Sequence, residues 1–305
     1  MQKRDMRVAV IQQANTADMD ANQQKSEQLI RNAAADGAQL VLLQELHRGL
    51  YFCQTEDTTV FDQAETIPGP TTERFGALAN ELNIVLVTSL FEKRAAGLYH
   101  NTAVVLDSDG SIAGTYRKMH IPDDPGFYEK FYFTPGDARF NNGDSGFTPI
   151  QTSLGKLGVL VCWDQWYPEA ARLMALAGAE LLLYPTAIGW DRQDTNDEQQ
   201  RQLNAWITIQ RSHAVANGLP VLVANRTGFE GSPIAKDAND GIEFWGNSFI
   251  AGPQGEVLTQ SDATGDGILI TDIDMARTEN VRRIWPYLRD RRIDGYEDLL
   301  KRYRD

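Results

Sequence analysis

Lys156-Leu157-Gly158-Val159-Leu160-Val161-Cys162-Trp163-Asp164-Gln165-Trp166-Tyr167-Pro168-Glu169 decides how the rest of the chain is read. An apolar run of strand character ends on a cysteine and turns sharply. It then opens into Ala170-Ala171-Arg172-Leu173-Met174-Ala175-Leu176-Ala177, which has helical composition. A thiol at such a strand-to-helix corner projects from the sheet's edge, with the amides of the following turn close to the sulfur, where a nucleophile is useful. The competing reading is a small buried apolar cysteine, the commoner state of this residue. The remaining sequence has to decide between them.

Upstream, residues 6–12 read as a buried strand and residues 20–35 as a helix with Leu29, Ile30 and Ala33 on one face. Gly37 stops that helix, and Gln39-Leu40-Val41-Leu42-Leu43-Gln44-Glu45 is a second buried strand ending on a carboxylate. After a loop holding Tyr51-Phe52-Cys53, residues 71–82 are predicted helical and residues 84–90 a strand. Strands over 102–106 and 112–116 flank the turn Asp107-Ser108-Asp109-Gly110, a hairpin signal, and Lys118 lies just past it.

The second half repeats the first. Gly37-Ala38-Gln39-Leu40-Val41-Leu42-Leu43 matches Gly178-Ala179-Glu180-Leu181-Leu182-Leu183-Tyr184. Asn83-Ile84-Val85-Leu86-Val87 matches Leu219-Pro220-Val221-Leu222-Val223, which follows a long amphipathic helix over 197–217, and a second hairpin around Gly252-Pro253-Gln254-Gly255 echoes the first. Such a repeat predicts two related βαβ-containing halves packed sheet against sheet, a four-layer αββα sandwich over residues 1–280. No Pro/Ser/Gly-rich linker breaks the midpoint. Residues 281–305 read as a C-terminal extension, charged yet carrying Ile284, Trp285, Tyr287, Leu288, Ile293, Tyr296, Leu299 and Leu300. Exposed, so many apolar groups are a liability, so the extension is expected to pack on another subunit or across its own surface.

Composition narrows the class. The net charge of −13 argues against nucleic acid, because phosphate binding needs a basic face. Two cysteines, Cys53 and Cys162, make no disulfide framework and suit a reducing compartment. The N-terminal Met1-Gln2-Lys3-Arg4 leads into no apolar stretch of signal-peptide length, and nowhere do roughly 18 apolar residues run together. A cytoplasmic protein without membrane contact is expected.

A thiol that attacks a C–N bond needs a base and an electrophilic partner. Glu45 also ends a strand, at the place equivalent in the repeat to the region beside Cys162, and Lys118 stands in Tyr116-Arg117-Lys118-Met119-His120-Ile121-Pro122. Either alone would read as a surface charge. Together, Leu43-Gln44-Glu45, Tyr116-Arg117-Lys118-Met119-His120 and Val161-Cys162-Trp163-Asp164 through Pro168-Glu169 resemble the three signatures of the nitrilase superfamily of carbon-nitrogen hydrolases. The likeness runs in order over residues 6–272. It implies the αββα fold and a Glu45-Lys118-Cys162 triad, with Glu129 as a second active-site carboxylate.

Three longer strings draw the resemblance toward the superfamily's carbamoyl-amine hydrolases: Tyr51-Phe52-Cys53-Gln54, the run from His120 to Phe133, and Tyr184-Pro185-Thr186-Ala187-Ile188-Gly189-Trp190-Asp191. The implied substrate is N-carbamoylputrescine, a small cationic ureido compound, with putrescine, ammonia and carbon dioxide as products. Cys162, deprotonated by Glu45 or held as a thiolate beside Lys118, would attack the carbamoyl carbon. Lys118 and the Trp163 backbone N–H would hold the oxyanion. Glu45 would return its proton to the leaving amine and activate water, and Glu129 would orient substrate or Lys118. The far ammonium calls for a carboxylate or aromatic face about 6 to 7 Å from the reacting carbon. Asp191 is the expected partner, with Tyr51, Tyr128 and Trp190 along the apolar stem, although plant members carry a longer Glu there. A homo-oligomer assembled from dimers is also expected.

Other chemistries find less support. His47, His100, His120 and His213 have no metal-ligand spacing. Asp123-Asp124 reads as part of a Pro-Gly turn rather than a cation site, and Asp144-Ser145-Gly146 as turn chemistry. There is no Gly-x-Ser-x-Gly and no glycine-rich phosphate loop, so neither a serine hydrolase nor any cofactor is expected. The rival readings are a nitrilase, an aliphatic amidase or a β-ureidopropionate hydrolase of the same superfamily, a non-catalytic scaffold, and a peroxide-sensing thiol protein. β-Ureidopropionate would need a cationic partner for its carboxylate, and Asp191 would repel it.

Overall fold

In the computed structural model, which describes residues 5–137, 146–237 and 240–304, the apolar runs assemble into two six-stranded sheets and one small three-stranded sheet. The first half runs β1 (Asp5–Gln12), α1 (Met19–Ala35), β2 (Leu40–Leu42), α2 (Pro70–Leu82), β3 (Val85–Ala95), β4 (Leu98–Leu106), β5 (Ile112–Arg117) and the single-turn α3 (Glu129–Tyr132). The second runs β6 (Ile150–Thr152), β7 (Gly155–Val159), α4 (Pro168–Leu176), β8 (Leu181–Pro185), β9 (Gly189–Asp191), α5 (Asn196–Asn217), β10 (Val221–Ala224), β11 (Thr227–Gly231), β12 (Gly241–Trp245), β13 (Phe249–Ala251) and β14 (Val257–Gln260). β15 (Gly267–Asp274) and α6 (Met275–Ile284) follow.

The strand order makes the internal repeat physical. One sheet is β15-β1-β2-β3-β4-β5, and the other, read from its far edge, is β6-β7-β8-β10-β13-β14. In both, three parallel strands are flanked by antiparallel ones, a single strand on one side and two on the other. Leu40 pairs with Val8 and Leu181 with Leu157, so the two Gly-Ala-x-Leu strings occupy the same place in their sheets.

Alternation along the strands builds the layers. Ala9, Ile11, Val41, Leu43 and Leu86 pack on Ile30, Ala33, Phe75 and Leu78 of α1 and α2. The intervening Val8, Val10, Leu40, Leu42, Val85 and Val87 join one core with the second sheet, where Leu181, Leu182 and Leu183 are all buried. Ala170 and Met174 of α4 and Ala214 of α5 cover the outer face of that sheet. The result is the αββα sandwich.

Several elements depart from expectation for local reasons. α1 buries Asn22, Gln23 and Ser26 besides Ile30 and Ala33, while Leu29 is only partly covered. Asn22 Nδ2 donates to the carbonyls of Thr16 and Arg48, and Ser26 Oγ to Gln13 Oε1, a polar network that apolar periodicity cannot reveal. β2 is only Leu40–Leu42, so Glu45 sits in the turn beyond the strand, where Leu46 adopts φ 48°. β3 continues past residue 90 because Glu92 is buried against Arg117 and Thr102. The division expected at 280/281 falls inside α6, where Thr278 and Val281 are buried. Beyond it, Ile284, Ile293, Leu299 and Leu300 are exposed.

Residues 1–4, Asp144, Ser145 and Asp305, on which some of the expectations above fall, lie outside the described residues. Among the described residues no helix is long and apolar enough to cross a membrane.

Leu183, fully buried in the central core, tests the layer assignment. Leu183→Ala is expected to cost about 2–5 kcal/mol, read as a lower midpoint in chemical denaturation; a change within about 0.5 kcal/mol, the surface range, would place Leu183 outside the core.

Candidate active site

In open α/β sheets, side chains at the carboxyl ends of parallel strands meet in one crevice. Glu45 follows β2 and Cys162 follows β7, each just past a parallel strand. The two sheets join at these ends: the Glu45 amide donates to the Thr186 carbonyl at 3.4 Å, and Gln13 bridges to Arg226. Lys118 arrives one residue after β5, with its amide on the Asn101 carbonyl at 2.9 Å, and Glu129 opens α3.

The geometry brings three charges together out of solvent. Lys118 Nζ lies 2.9 Å from Glu45 Oε1 and 2.7 Å from Glu129 Oε2, and all three side chains are buried. Asn101 Nδ2 donates to the same Glu45 oxygen at 2.6 Å, and the Tyr51 hydroxyl donates to Glu129 Oε1 at 2.8 Å. Glu45 Oε2 is left without a hydrogen-bond partner among the described residues. Burial works against the Lys118 ammonium, but Glu129 and Glu45 outweigh it and hold its pKa well above the ordinary value. For Glu129, burial is the stronger influence: it lifts the carboxyl to about 7, with Lys118 pulling down and Glu45 pushing up.

Cys162 begins a 3-10 turn, Cys162–Trp166, and takes φ 45°, a left-handed conformation unusual for a side-chain-bearing residue. Asp164 holds this corner. One carboxylate oxygen accepts from the Val161 amide at 3.0 Å and the Tyr116 hydroxyl at 2.8 Å. The other accepts from the His120 amide at 3.0 Å and lies 2.6 Å from His120 Nδ1. The His120 ring stacks on Tyr167 with centroids 3.7 Å apart. The sulfur's hydrogen-bond contact is the Ala187 carbonyl at 3.8 Å. Burial pushes the thiol well above its usual range and Glu45 adds to the rise, while Lys118 opposes them only in part. Burial therefore favours the neutral thiol at Cys162, and of the two states the sequence left open the thiolate is the disfavoured one.

Cys162 and Glu129 open on a cavity of about 350 Å³ walled by Tyr51, Phe127, Trp163, Trp166, Trp245 and smaller apolar groups. Its only other carboxylate among the described residues is Asp124, at the exposed rim, and no Lys, Arg or His belongs to the wall. Tyr51 stands where the sequence put it. Asp191 does not: it is exposed, and its carboxylate caps its own turn by accepting from the Gln193 amide at 2.8 Å. Trp190 spends its indole N–H on the Gln199 carbonyl and packs on Trp245, and Tyr128 leaves its place in the wall to Phe127. Asn101 went unnoticed, Asp164 was quoted two residues after the thiol but given no role, and Asp124 was read as turn chemistry.

The carbon-nitrogen hydrolase family profile matches residues 7–283. An N-carbamoylputrescine amidase of Solanum lycopersicum is 42% identical over 96% of this chain and 94% of its own. A citrullinase of Francisella tularensis is 41% identical over 98% of this chain and 99% of its own. The crystal structure of a carbon-nitrogen hydrolase from Helicobacter pylori G27 superimposes with a TM-score of 0.93 at 53% identity, covering 99% of this chain and 100% of that one.

A neutral resting thiol has a direct signature. Because its pKa is raised, alkylation of Cys162 by iodoacetamide is expected to be slow at neutral pH and to keep accelerating beyond the range of an ordinary thiol. A rate already independent of pH at neutrality, followed on the Cys162 peptide by mass spectrometry, would mean a resting thiolate.

Proposed function

The chain belongs to the carbon-nitrogen hydrolase family and is an amide-hydrolysing enzyme, and from that premise we propose that it hydrolyses the ureido group of N-carbamoylputrescine. The observation that carries the reading is the cavity wall: a thiol and a buried carboxylate at the reacting end, an aromatic stem, and one carboxylate at the rim, with no basic side chain among the described residues that line it. That wall suits a slender chain ending in an ammonium.

Glu45, through its unpartnered Oε2, takes the Cys162 proton as the sulfur attacks the carbamoyl carbon. The C=O becomes an oxyanion. An ammonium has three N–H donors, and Lys118 spends two on Glu45 and Glu129, which leaves the third for that oxygen. The Trp163 N–H, in the first turn after the nucleophile, has no intrahelical acceptor and supplies a second donor, a contribution typically worth about 3 kcal/mol. Collapse passes the proton from Glu45 to the departing nitrogen and leaves a carbamoyl thioester. Water, deprotonated by Glu45, then releases Cys162, and the resulting carbamic acid breaks down to carbon dioxide and the second amine. Glu129 fixes Lys118 from the side opposite Glu45.

A second reading follows from the citrullinase relative. Citrulline offers the same ureido group but ends in an α-amino acid, whose carboxylate would meet no cation in the wall. For the far ammonium we assign Asp124 in place of Asp191. Lys130 approaches Asp123 at 3.9 Å, while Asp124 has no charge partner among the described residues.

The test compares N-carbamoylputrescine, citrulline and the uncharged N-butylurea. An exposed ion pair is worth about 1 kcal/mol, roughly fivefold, so kcat/KM for N-carbamoylputrescine should exceed that for N-butylurea by at least this factor. Asp124→Asn should erase the advantage without touching N-butylurea, and Asp191→Asn should change neither. Equal losses on both substrates with Asp124→Asn would remove the ammonium contact, and preference for citrulline would replace the substrate.

A further inference from the structure

We propose that the buried Arg226–Glu230 pair is a positioning device for the active site, clamping the turn that carries Glu45 and Tyr51. The proposal rests on Glu45 acting as the base. Arg226 lies two residues beyond β10, in the opposite half of the chain from Glu45, and is fully buried. Its Nη2 donates to the carbonyls of Glu45 at 3.1 Å and Leu46 at 2.9 Å. Its Nη1 donates to the Gly49 carbonyl at 2.9 Å and to Glu230 Oε1 at 2.6 Å. The other Glu230 oxygen accepts from the Tyr51 amide at 2.6 Å, and the Glu230 carbonyl accepts from Gln54 Nε2 at 3.3 Å.

One ion pair therefore grips the backbone from Glu45 to Tyr51, the segment whose two side chains bond Lys118 and Glu129. The turn needs such a grip. Leu46 is held in a left-handed conformation directly after Glu45, and three carbonyls of the turn are turned toward the guanidinium. A planar fork of N–H donors can reach all of them at once, which the single nitrogen of a lysine cannot. Stability alone does not explain the arrangement, since a buried ion pair is commonly matched or bettered by apolar groups of similar volume. What the pair provides is a fixed backbone under two reactive-site side chains.

The test uses Arg226→Lys and, should that variant fold poorly, Glu230→Gln, which keeps an acceptor for the Tyr51 amide while removing the charge. Misplacing a catalytic group by about 1 Å can cost 100-fold in rate, so kcat should fall about 10- to 100-fold with KM within about threefold, while the thermal midpoint shows a folded protein. A second readout needs no substrate. Glu45, Lys118 and Glu129 are the charged groups acting on the Cys162 thiol, and Glu45 raises its pKa. Glu45→Gln should lower the pH midpoint of Cys162 alkylation, and the clamp variants should lower it in the same direction. A folded clamp variant with wild-type kcat and a wild-type alkylation midpoint overturns the proposal. Failure of the wild-type protein to turn over the ureido substrate would instead overturn the function proposed above, and the alkylation comparison would still judge the clamp.

Discussion

Lys118 sits between Glu45 and Glu129 with no exposure to water, and the loops that deliver these three side chains converge because each charge needs the others. Removing an ion from water costs several kcal/mol, and one ammonium cannot fully neutralise two carboxylates. The groups respond differently: the two carboxylates hold Lys118 firmly charged, while burial, with Glu45 adding to it, pushes Glu129 to about 7 against the pull of Lys118. Burial pushes the neighbouring Cys162 thiol up, Glu45 adds to the rise, and Lys118 offsets it only in part, so the same network biases the thiol toward its neutral form. The stability of the cluster and its chemistry are one electrostatic arrangement.

The Cys162 corner is held by a different device. Cys162 takes a left-handed conformation that its own side chain disfavours, and Asp164 holds it by accepting from Val161, Tyr116 and His120 together. Tyr116 is the penultimate residue of β5 and Lys118 follows the strand directly, so the strand that leads into the lysine also anchors the thiol's corner. The two sheets are thereby linked at their carboxyl ends through polar contacts, on top of the apolar core between them. Preorganisation of this kind leaves little to rearrange when charge develops on a substrate oxygen.

How much of this the sequence disclosed differs from residue to residue. Glu45, Lys118, Glu129 and Cys162 were visible because each stands at a fixed offset from an apolar run or inside a distinctive string. Asp191 and Trp190 were chosen from a string as well, but Asp191 closes β9 and its carboxylate accepts from the Gln193 amide in the following turn, while the Trp190 indole packs on Trp245. Asp124 was set aside as turn chemistry. It is in a turn, and the same turn brings it to the rim of the cavity. Arg226 and Asn101 left no trace, since a long-range hydrogen bond imposes no periodicity on either partner.

The amino-acid sequence by itself determined the layered architecture, because short apolar runs that form strands buried on both faces and the repeated Gly-Ala-x-Leu strings act locally and recur in both halves. It also determined which residue types reach the carboxyl ends of the parallel strands. Only the tertiary structure decided how deeply the thiol is buried, which residues wall the cavity, and what holds the Glu45 turn. Those depend on burial and on distances between residues far apart in the chain, from 73 positions for the Lys118–Glu45 pair to 181 for the Arg226–Glu45 contact, and on charges whose strength is set by how completely water is excluded.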